Sequence, residues 1–155
     1  MMGTSPRDDD EAVDILIVDD NPDAAELTIR ALRRHGLAEH LHHVEDGAQA
    51  LDFLYARGAY HERDPAVEPK LVLLDLSLPN INGFEVLRHR LSDSRLRTIP
   101  TVVMSTSQNP HDVDEAERLG ADGYIVKGSD SETFNQVVGN LSWYYLHKAA
   151  GSKKD

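Results

Sequence analysis

The sequence predicts an α/β fold in which one parallel β-sheet is covered by helices on both faces. Four short runs are apolar throughout rather than at alternate positions, which is typical of parallel strands buried on both faces. Segments with helical apolar spacing lie between these runs, and such an alternation of strands and helices builds α/β folds. The chain has 155 residues, the usual length of one domain. We therefore expect a single doubly wound domain.

Five parallel strands are predicted, and the second has the weakest pattern, as an edge strand would. The strands cover residues 15–18, 41–44, 71–74, 101–104 and 124–126. Right-handed crossovers leave few topologies for such a sheet, of which the flavodoxin-like strand order 2-1-3-4-5 is the simplest. The second strand is then an edge strand.

Five helices are predicted between and after the strands. The first begins at Pro22, because Asn21 is an N-cap residue and proline is favoured at the first helical position, and it stops at Gly36. The third follows the turn at residues 82–83, and the fourth covers about residues 112–119. The apolar positions expected to face the core are Ala24, Leu27, Ala31 and Leu32 in the first helix, Ala50, Leu51 and Leu54 in the second, Phe84, Leu87 and Leu91 in the third, and Phe134, Val137, Val138, Leu141 and Tyr145 in the fifth.

The folded domain is predicted to cover residues 14–150. Residues 1–13 contain an acidic run without apolar periodicity, so a flexible acidic tail is expected there. Residues 151–155 are expected to form a second tail. The polar stretch 56–69 is long for a helix-to-strand connection and is interpreted as a surface loop. A second domain, such as a DNA-binding domain, is not expected within this length.

Composition and charge exclude several functional classes. The chain has no cysteine, which rules out a disulfide framework, a thiolate zinc site and a cysteine nucleophile. Its net charge of −11 opposes binding to nucleic acids and to anionic membranes. There is no apolar run of the roughly 18–20 residues that span a bilayer, and no signal segment at the N-terminus. A cytoplasmic location is therefore expected.

Charged and hydroxyl side chains stand at the ends of four predicted strands. The first strand ends in Asp19 and Asp20, the third in Asp75, the fourth in Ser105 and the fifth in Lys127. Open parallel sheets bind their ligands beyond the carboxyl ends of the strands. We therefore expect these side chains to converge on a single crevice.

Such a cluster of like charges is costly unless a cation binds to it. Two carboxylates about 4 Å apart repel each other by roughly 4 kcal/mol at an effective dielectric near 20. Mg²⁺, or Mn²⁺ in its place, suits one or two carboxylates together with a substrate phosphate. Lys127 adds a positive charge that can pair with an incoming anion. Carboxylates, hydroxyl and lysine together are the groups required for metal-assisted phosphoryl transfer onto a carboxylate.

Each of these residues has a simpler role when it is taken alone. A strand-end aspartate is most often a cap or turn residue, a serine a satisfied hydroxyl, and a lysine a solvated surface group. Only the matching chemistry of four strand ends makes the phosphoryl-transfer interpretation specific.

Four stretches that contain these residues match a known family. They are ILIVDDN at 15–21, LVLLDLSLPNINGFEVL at 71–87, IPTVVMSTS at 99–107 and GADGYIVK at 120–127. The sequence resembles the receiver domain of two-component response regulators over nearly the whole chain between the two tails. Thirty residues separate Asp75 from Ser105, and 22 separate Ser105 from Lys127, as in that family.

The resemblance implies a role for each residue that matches the family motif. Asp75 matches the aspartate that accepts the phosphoryl group, and Lys127 matches the lysine that pairs with it. Asp19 and Asp20 match the acidic pair at the metal, with Asp20 as the more direct ligand. The backbone carbonyl of Ser77 matches a third protein ligand. The remaining implied roles are those of the switch pair, Ser105 and Tyr124.

Two departures point to a subfamily. The family lysine is usually followed by a proline, commonly in a cis peptide, whereas Gly128 stands here and a cis bond before a non-proline residue costs about 3 kcal/mol. The chain between Asp20 and Asp75 is also longer than in the shortest receivers, with the excess near residues 56–69. Both features resemble single-domain regulators that serve phytochrome-type histidine kinases. The implied partner is a sensor histidine kinase, for example a bacteriophytochrome.

Two other functions remain open at this level. A small phosphohydrolase could use Asp75 as its nucleophile, although haloacid-dehalogenase-type enzymes place a second aspartate where Ser77 stands. A receiver fold could also act as a binding module without phosphorylation, which the complete set of site residues opposes. A P-loop nucleotidase is excluded because the sequence has no GxxxxGK[ST] motif.

The fifth helix is predicted to carry an interaction surface. Trp143 lies about 180° from the apolar face of this helix, flanked by Tyr144 and Leu146, and Trp and Tyr are favoured interface anchors. Receivers commonly pair through the fourth helix, fifth strand and fifth helix, so we expect a homodimer there with Trp143 near its centre. The histidines at 40, 42 and 43 are not expected to form a chelating set, because alternate strand residues face opposite ways.

Overall fold

The computed structural model describes residues 13–128 and 131–152 and contains the five predicted strands and five helices. The strands are β1 (Ile15–Val18), β2 (Leu41–Val44), β3 (Leu71–Asp75), β4 (Thr101–Ser105) and β5 (Gly123–Val126). The helices are α1 (Pro22–Arg34), α2 (Gly47–Tyr55), α3 (Gly83–Ser92), α4 (Pro110–Arg118) and α5 (Ser131–Ser152), with short 3-10 turns at Gly58–Tyr60 and Leu96–Thr98. All neighbouring strands are parallel in the order β2-β1-β3-β4-β5, so the predicted fold class and strand order are confirmed.

The sheet separates two apolar cores because successive strand residues point to opposite faces. In β1, Leu16 and Val18 belong to the core covered by α2, α3 and α4. Ile15 and Ile17 belong to the core covered by α1 and α5. All four side chains are fully buried, which explains why the strand is apolar at every position.

The buried face of α1 differs from the predicted one. Leu27, which was expected to face the core, is 51% exposed, whereas Ala25 and Thr28 are buried. The Thr28 hydroxyl donates a hydrogen bond to the carbonyl of Ala24 at 3.2 Å, and a satisfied hydroxyl can be buried at little cost. Because threonine was counted as polar, the sequence pattern placed the apolar face of the helix wrongly.

A buried arginine takes a core position in α3 that the sequence pattern gave to a leucine. Leu91 is 41% exposed, while Arg90 is 5% exposed. The Arg90 guanidinium donates through Nε to the carbonyl of Ile99 at 3.0 Å and through Nη1 to that of Gly120 at 2.9 Å. Its Nη2 donates to Oδ2 of Asp122 at 3.0 Å. Burial is tolerated because the guanidinium is paired and hydrogen-bonded on three sides.

Helix α5 packs on the sheet with a slightly different face from the predicted one. Val138 is fully buried, but Val137, expected in the core, is 37% exposed. Leu146, expected beside Trp143 on the outer face, is partly buried against the second core. None of the helices in residues 13–128 and 131–152 combines the length and apolarity that a membrane span requires.

Three residues next to the predicted domain boundaries have defined positions in the fold. Val13, assigned to the N-terminal tail, is 8% exposed and packs in the core covered by α2, α3 and α4. Helix α5 continues through Gly151 and Ser152, which were assigned to the C-terminal tail. The remaining tail residues, 1–12 and 153–155, lie outside the described residues.

The segment 56–69 is attached to the surface of the domain by aromatic and cationic contacts. The Tyr60 hydroxyl and Nε2 of His42 are hydrogen-bonded at 2.9 Å, and the Tyr60 ring contacts the Phe53 ring edge to face. The Arg63 guanidinium lies 3.8 Å from the centre of the Phe53 ring and donates to the carbonyl of Phe53. Such cation–π and hydrogen-bond contacts hold the segment against α2 and the edge strand β2.

Candidate functional site

Three carboxylates converge at the carboxyl ends of β1 and β3, as expected from the strand ends. One carboxylate oxygen from each of Asp19, Asp20 and Asp75 lies within 4.8 Å of the others. Asp19 is fully buried, Asp75 is 6% exposed, and Asp20 is exposed. Like charges at this distance repel strongly when water is largely excluded from two of them.

The ammonium group of Lys127 lies between two of these carboxylates. Its Nζ is 2.8 Å from Oδ2 of Asp19 and 3.3 Å from Oδ2 of Asp75. The backbone N–H of Lys127 donates to the carbonyl of Ser105 at 2.7 Å, which holds the end of β5 beside the end of β4. The peptide bond to Gly128 is trans, and Gly128 has a φ of +91°, a conformation that glycine adopts without strain.

Burial and charge shift the pKa values of Asp75 and Lys127 in the same direction. Burial is the main reason that the pKa of Asp75 is raised, and the nearby Asp19 adds to it, while Lys127 opposes the shift. Burial lowers the pKa of Lys127, but the hydrogen bond to Asp19 and the charges of both aspartates outweigh it, so that its pKa is raised overall. Lys127 therefore remains an ammonium at neutral pH, and the ionised form of Asp75 is less favourable than in free aspartate.

Backbone N–H groups fix the orientation of two carboxylates. Oδ1 of Asp19 accepts the N–H of Asn21 at 3.0 Å, and Oδ1 of Asp75 accepts the N–H of Ser77 at 3.2 Å. Both bonds span two residues along the chain, a pattern typical of aspartate at the start of a turn. The same residue type therefore serves as a turn residue and as part of the acidic cluster.

A histidine that the sequence analysis treated only as an edge-strand residue supports the acidic cluster. Nε2 of His43 lies 2.8 Å from the backbone oxygen of Asp19, and since a carbonyl only accepts, this nitrogen carries the proton. The neighbouring His42 bonds instead to Tyr60, so the two rings serve different sites. The register that pairs Ile17 with His43 directs this ring to β1, and the sequence alone does not reveal that register.

The two predicted switch residues are connected through the loop after β4. Ser105 is 3% exposed, and its Oγ accepts the N–H of Ser107 at 3.1 Å. The Tyr124 hydroxyl donates to the carbonyl of the same Ser107 at 2.9 Å. Beside this loop lies an open cleft of about 480 Å³ whose lining includes Ser77, Ser105 and Asp20. Asp20 and Ser105 thus line the cleft, whereas Asp19, Asp75 and Lys127 are not among its lining residues and meet in the charged cluster described above.

A close approach between two loops shapes the rim of this crevice. A Cβ atom at Gly83 would overlap the backbone oxygen of Asp75 and would lie 2.7 Å from Cα of Leu76. The N–H of Gly83 donates to the carbonyl of Leu76 at 3.0 Å, so the chain after β3 returns directly onto the strand end. Glycine is required here by lack of space, which the Asn82–Gly83 turn signal alone does not show.

Trp143 lies outside the crevice, on α5. Its side chain is 50% exposed and stacks on the ring of His147 with 4.0 Å between the ring centres. The adjacent Tyr144 is 51% exposed. The predicted interface residue is thus exposed and separate from the acidic cluster.

Comparison with known proteins identifies the family. Residues 15–139 match the family described as the response regulator receiver domain. The chain belongs to this family. Its members are signalling proteins of two-component systems, and the resemblance inferred from the four sequence stretches is confirmed.

The similar proteins include regulators associated with phytochromes. Response regulator Rcp1 of Synechocystis sp. is 33% identical over 132 residues, covering 85% of this chain and 88% of Rcp1. The phosphorylated cyanobacterial phytochrome response regulator RcpA is 34% identical with a TM-score of 0.78, covering 86% of this chain and 94% of RcpA. The bacteriophytochrome response regulator AtBRR is 38% identical with a TM-score of 0.70, covering 83% of this chain and 91% of AtBRR.

Proposed function

We propose that this receiver domain accepts a phosphoryl group from a sensor histidine kinase onto Asp75, with Mg²⁺ or Mn²⁺ bound at the acidic cluster. The observation that carries the proposal is the convergence of Asp19, Asp20 and Asp75 around the ammonium of Lys127. This set combines an anionic nucleophile with the positive charge that a phosphoryl group needs.

The transfer forms one bond and breaks one. A carboxylate oxygen of Asp75 attacks the phosphorus of a phosphohistidine, the P–N bond breaks, and the released imidazole nitrogen takes a proton from solvent. Water later attacks the phosphorus, the P–O bond to Asp75 breaks, and inorganic phosphate and a proton are released. Asp75 is then a carboxylate again and can accept another phosphoryl group.

The charge and chemistry of the cluster fit a divalent cation. Three carboxylates and one ammonium leave two net negative charges, which one divalent cation would neutralise. Asp20, Asp75 and the carbonyl of Ser77 would hold it with support from Asp19, and oxygen ligands of this kind suit Mg²⁺ and Mn²⁺. When bound, the cation supplies electrostatic stabilisation to the transferred phosphoryl oxygens. The similar protein Rcp1 has been solved in a Mn²⁺-bound form, at 31% identity and a TM-score of 0.76.

Lys127 and Ser105 are placed to respond to the phosphoryl group. The Lys127 ammonium already contacts Asp75 and would pair with the added negative charge. The Ser105 hydroxyl ends the neighbouring strand and would donate to a phosphoryl oxygen. The contacts that Lys127 and Ser105 make with phosphoryl oxygens exist only when Asp75 is phosphorylated. They therefore bias an existing equilibrium towards one conformation.

The kinase partner is proposed to be a phytochrome-type histidine kinase, for example a bacteriophytochrome. This proposal is supported by the descriptions of RcpA and AtBRR as phytochrome and bacteriophytochrome response regulators. The output is proposed to be a homodimer through α4, β5 and α5, with the exposed Trp143 near its centre. Phosphorylation of Asp75 would then control the association of two copies through this surface.

Incubation with acetyl phosphate and Mg²⁺, followed by intact-mass measurement, tests the phosphoacceptor. The wild-type chain should gain one phosphoryl group that hydroxylamine removes, because an acyl phosphate is sensitive to this nucleophile. Asp75→Asn should gain none, since its amide lacks the attacking anionic oxygen. Asp23→Asn, at an exposed aspartate in the first turn of α1, is the matched control and should be labelled normally. Stoichiometric, hydroxylamine-resistant labelling of Asp75→Asn would overturn the assignment.

A further inference from the structure

The loop between β4 and α4 is organised around Ser107, whose backbone connects Ser105 with Tyr124 and whose hydroxyl makes further bonds. The backbone N–H of Ser107 donates to Oγ of Ser105 at 3.1 Å, and its carbonyl accepts the Tyr124 hydroxyl at 2.9 Å. Its own hydroxyl donates to Oδ2 of Asp112 at 2.5 Å and accepts the N–H of Asn109 at 3.2 Å. Ser107 is thus bonded to a strand end, a neighbouring strand and the start of α4.

The side-chain bond to Asp112 reaches into the first turn of α4. The N–H groups of Asp112 and Val113 donate to the carbonyl of Asn109 at 3.0 and 3.2 Å, which begins the helical bonding. The Asn109 side chain caps the same turn by accepting the N–H of His111 at 2.9 Å. A hydroxyl-to-carboxylate bond of 2.5 Å is short and charge-assisted, a class stronger than neutral hydrogen bonds. The first turn of α4 is therefore connected to Ser107 by a side-chain bond as well as by the chain.

The position of Ser107 has a consequence when Ser105 moves. If the Ser105 hydroxyl turns towards a phosphoryl group on Asp75, its Oγ must either leave the N–H of Ser107 or draw Ser107 with it. Tyr124 follows through the carbonyl of Ser107. The first turn of α4 follows through the bond between the Ser107 hydroxyl and Asp112, which adds to the connection along the chain. The backbone of Ser107 therefore connects Ser105 to Tyr124, whereas its side chain connects Ser105 to the first turn of α4.

We propose that Ser107 is a positioning residue, and that its hydroxyl bond to Asp112 transmits the movement of Ser105 to the first turn of α4. This inference rests on the proposed phosphorylation of Asp75. It assigns to the Ser107–Asp112 pair the response of α4, separate from the response of Tyr124. Coupling of this kind requires that the two states of the site make different contacts with the same connecting residue.

Hydrogen exchange on the full chain tests the proposal, with and without beryllium fluoride and Mg²⁺ as a stable phosphoryl mimic. In the wild type, loading should change the exchange rates of the Ser107 amide and of the amides in the first turn of α4. In Ser107→Ala and Asp112→Ala, the change at the α4 amides should fall by about tenfold, the loss expected for a charge-assisted bond, while the Ser107 amide still responds. The double variant should lose no more than either single variant.

Two variants distinguish the bond from a general disturbance of the loop. Ser107→Thr keeps the hydroxyl and should retain the wild-type response at α4. Asp114→Ala removes a carboxylate from an exposed position in α4 and should also retain it, which separates the bond from a general loss of negative charge on this helix. An unchanged α4 response in Ser107→Ala, or an equal loss in Asp114→Ala, would overturn the proposal.

The same samples separate this inference from the proposed function. If acetyl phosphate labels the wild type and all variants at Asp75 but α4 responds equally in each, only the role of Ser107 is wrong. If the wild type is not labelled at all, the proposed function is wrong and the inference that rests on it fails as well.

Discussion

The imidazole ring of His35, at the end of α1, lies directly against the backbone of Gly139 in α5. A Cβ atom at position 139 would overlap three atoms of this ring. The ring is held in place because Nδ1 of His35 is hydrogen-bonded to the carbonyl of Ala31 at 3.1 Å. Gly139 is buried and helical, so glycine is needed here for the close approach of the two helices and not for an unusual backbone conformation.

Gly139→Ala should lower the free energy of unfolding although alanine is the better helix former. The helical propensity of alanine favours the variant by about 1 kcal/mol. The overlap with His35 costs typically about 1–3 kcal/mol or more, because both backbones and the ring must shift. Urea denaturation measures the net loss, and a variant as stable as the wild type would contradict the packing described above.

Removing the ring provides the control for this prediction. In His35→Ala, the space that the ring occupied is free for a methyl group at position 139. The double variant should therefore be more stable than the sum of the two single losses predicts, as residues in contact are not additive. Strictly additive losses would show that Gly139 matters for another reason.

Asp93 should contribute stability that depends on pH. The pKa of its carboxyl group is lowered by the N–H groups of Leu96 and Arg95, which donate to Oδ1 at 3.0 and 2.8 Å. A lowered pKa in the folded state means that the ionised form stabilises the fold above the unfolded pKa of about 3.9, and that this stability is lost as the pH falls through the folded pKa. Asp93→Asn should therefore be less stable than the wild type at about pH 7, and the difference should shrink as the pH falls below the unfolded pKa of about 3.9. Thermal unfolding of both proteins across this pH range measures the difference in stability. A difference that does not change with pH would show that the charge of Asp93 is not its cause.

The sheet could be predicted from sequence because its strands are buried on both faces. Apolarity at every position of a short run is typical of such strands, and the residues that follow these runs must lie at one edge of a parallel sheet. For the same reason Asp19, Asp75 and Lys127 were expected to lie together, and their side chains are within contact distance of one another. What the residues do chemically remains a proposal.

Polar side chains with internal partners are the part that the sequence pattern missed. Thr28 and Arg90 are buried because their donors reach carbonyl oxygens or a carboxylate in the folded chain. The bonds of His43 and Ser107 to the site depend on strand register and loop conformation. These hydrogen-bond partners cannot be predicted from apolar spacing or residue type, because they are determined by tertiary contacts.

Metal affinity should fall in Asp20→Asn. This side chain is the exposed member of the acidic cluster and is proposed to bind the cation directly. Mutation of a residue that only supports a metal ligand typically lowers the metal affinity about 10–100-fold. Loss of a direct ligand should lower it by at least as much. Mn²⁺ titration followed by the paramagnetic resonance of the free ion measures the affinity, with Asp23→Asn as a control that removes an aspartate outside the cluster. Equal affinities of wild type and Asp20→Asn would place the metal elsewhere.

Phosphorylation should change the environment of the Tyr124 ring through Ser105. The two residues are connected because Ser107 donates to one and accepts from the other. In tyrosine-labelled protein, beryllium fluoride with Mg²⁺ should shift the NMR signals of the Tyr124 ring, and Ser105→Ala should remove most of this shift. Thr106→Ala, at the exposed next residue, is the control and should retain it. A full shift in Ser105→Ala would show that Tyr124 does not respond through this hydroxyl.

The outer face of α5 carries more exposed aromatic surface than a solvated helix requires. Trp143 and Tyr144 are each about half exposed, and their neighbours His147 and Lys148 contact these rings without covering them. Large aromatic side chains of this kind contribute most of the binding free energy when they lie at the centre of an interface. This exposure motivates the proposed dimer, since burial of Trp143 in a second copy would remove its apolar surface from water.

Trp143→Ala should therefore weaken self-association. Loss of an anchor at the centre of an interface typically costs about 2 kcal/mol or more, which corresponds to a dissociation constant raised by more than about tenfold. Sedimentation velocity over a concentration series, with and without acetyl phosphate and Mg²⁺, measures this constant for the wild type and the variant. Leu27→Ala is the matched control, because Leu27 is equally exposed but lies on α1, outside the proposed interface. If Trp143→Ala associates as tightly as the wild type, or if Leu27→Ala weakens association equally, Trp143 is not the anchor of the dimer.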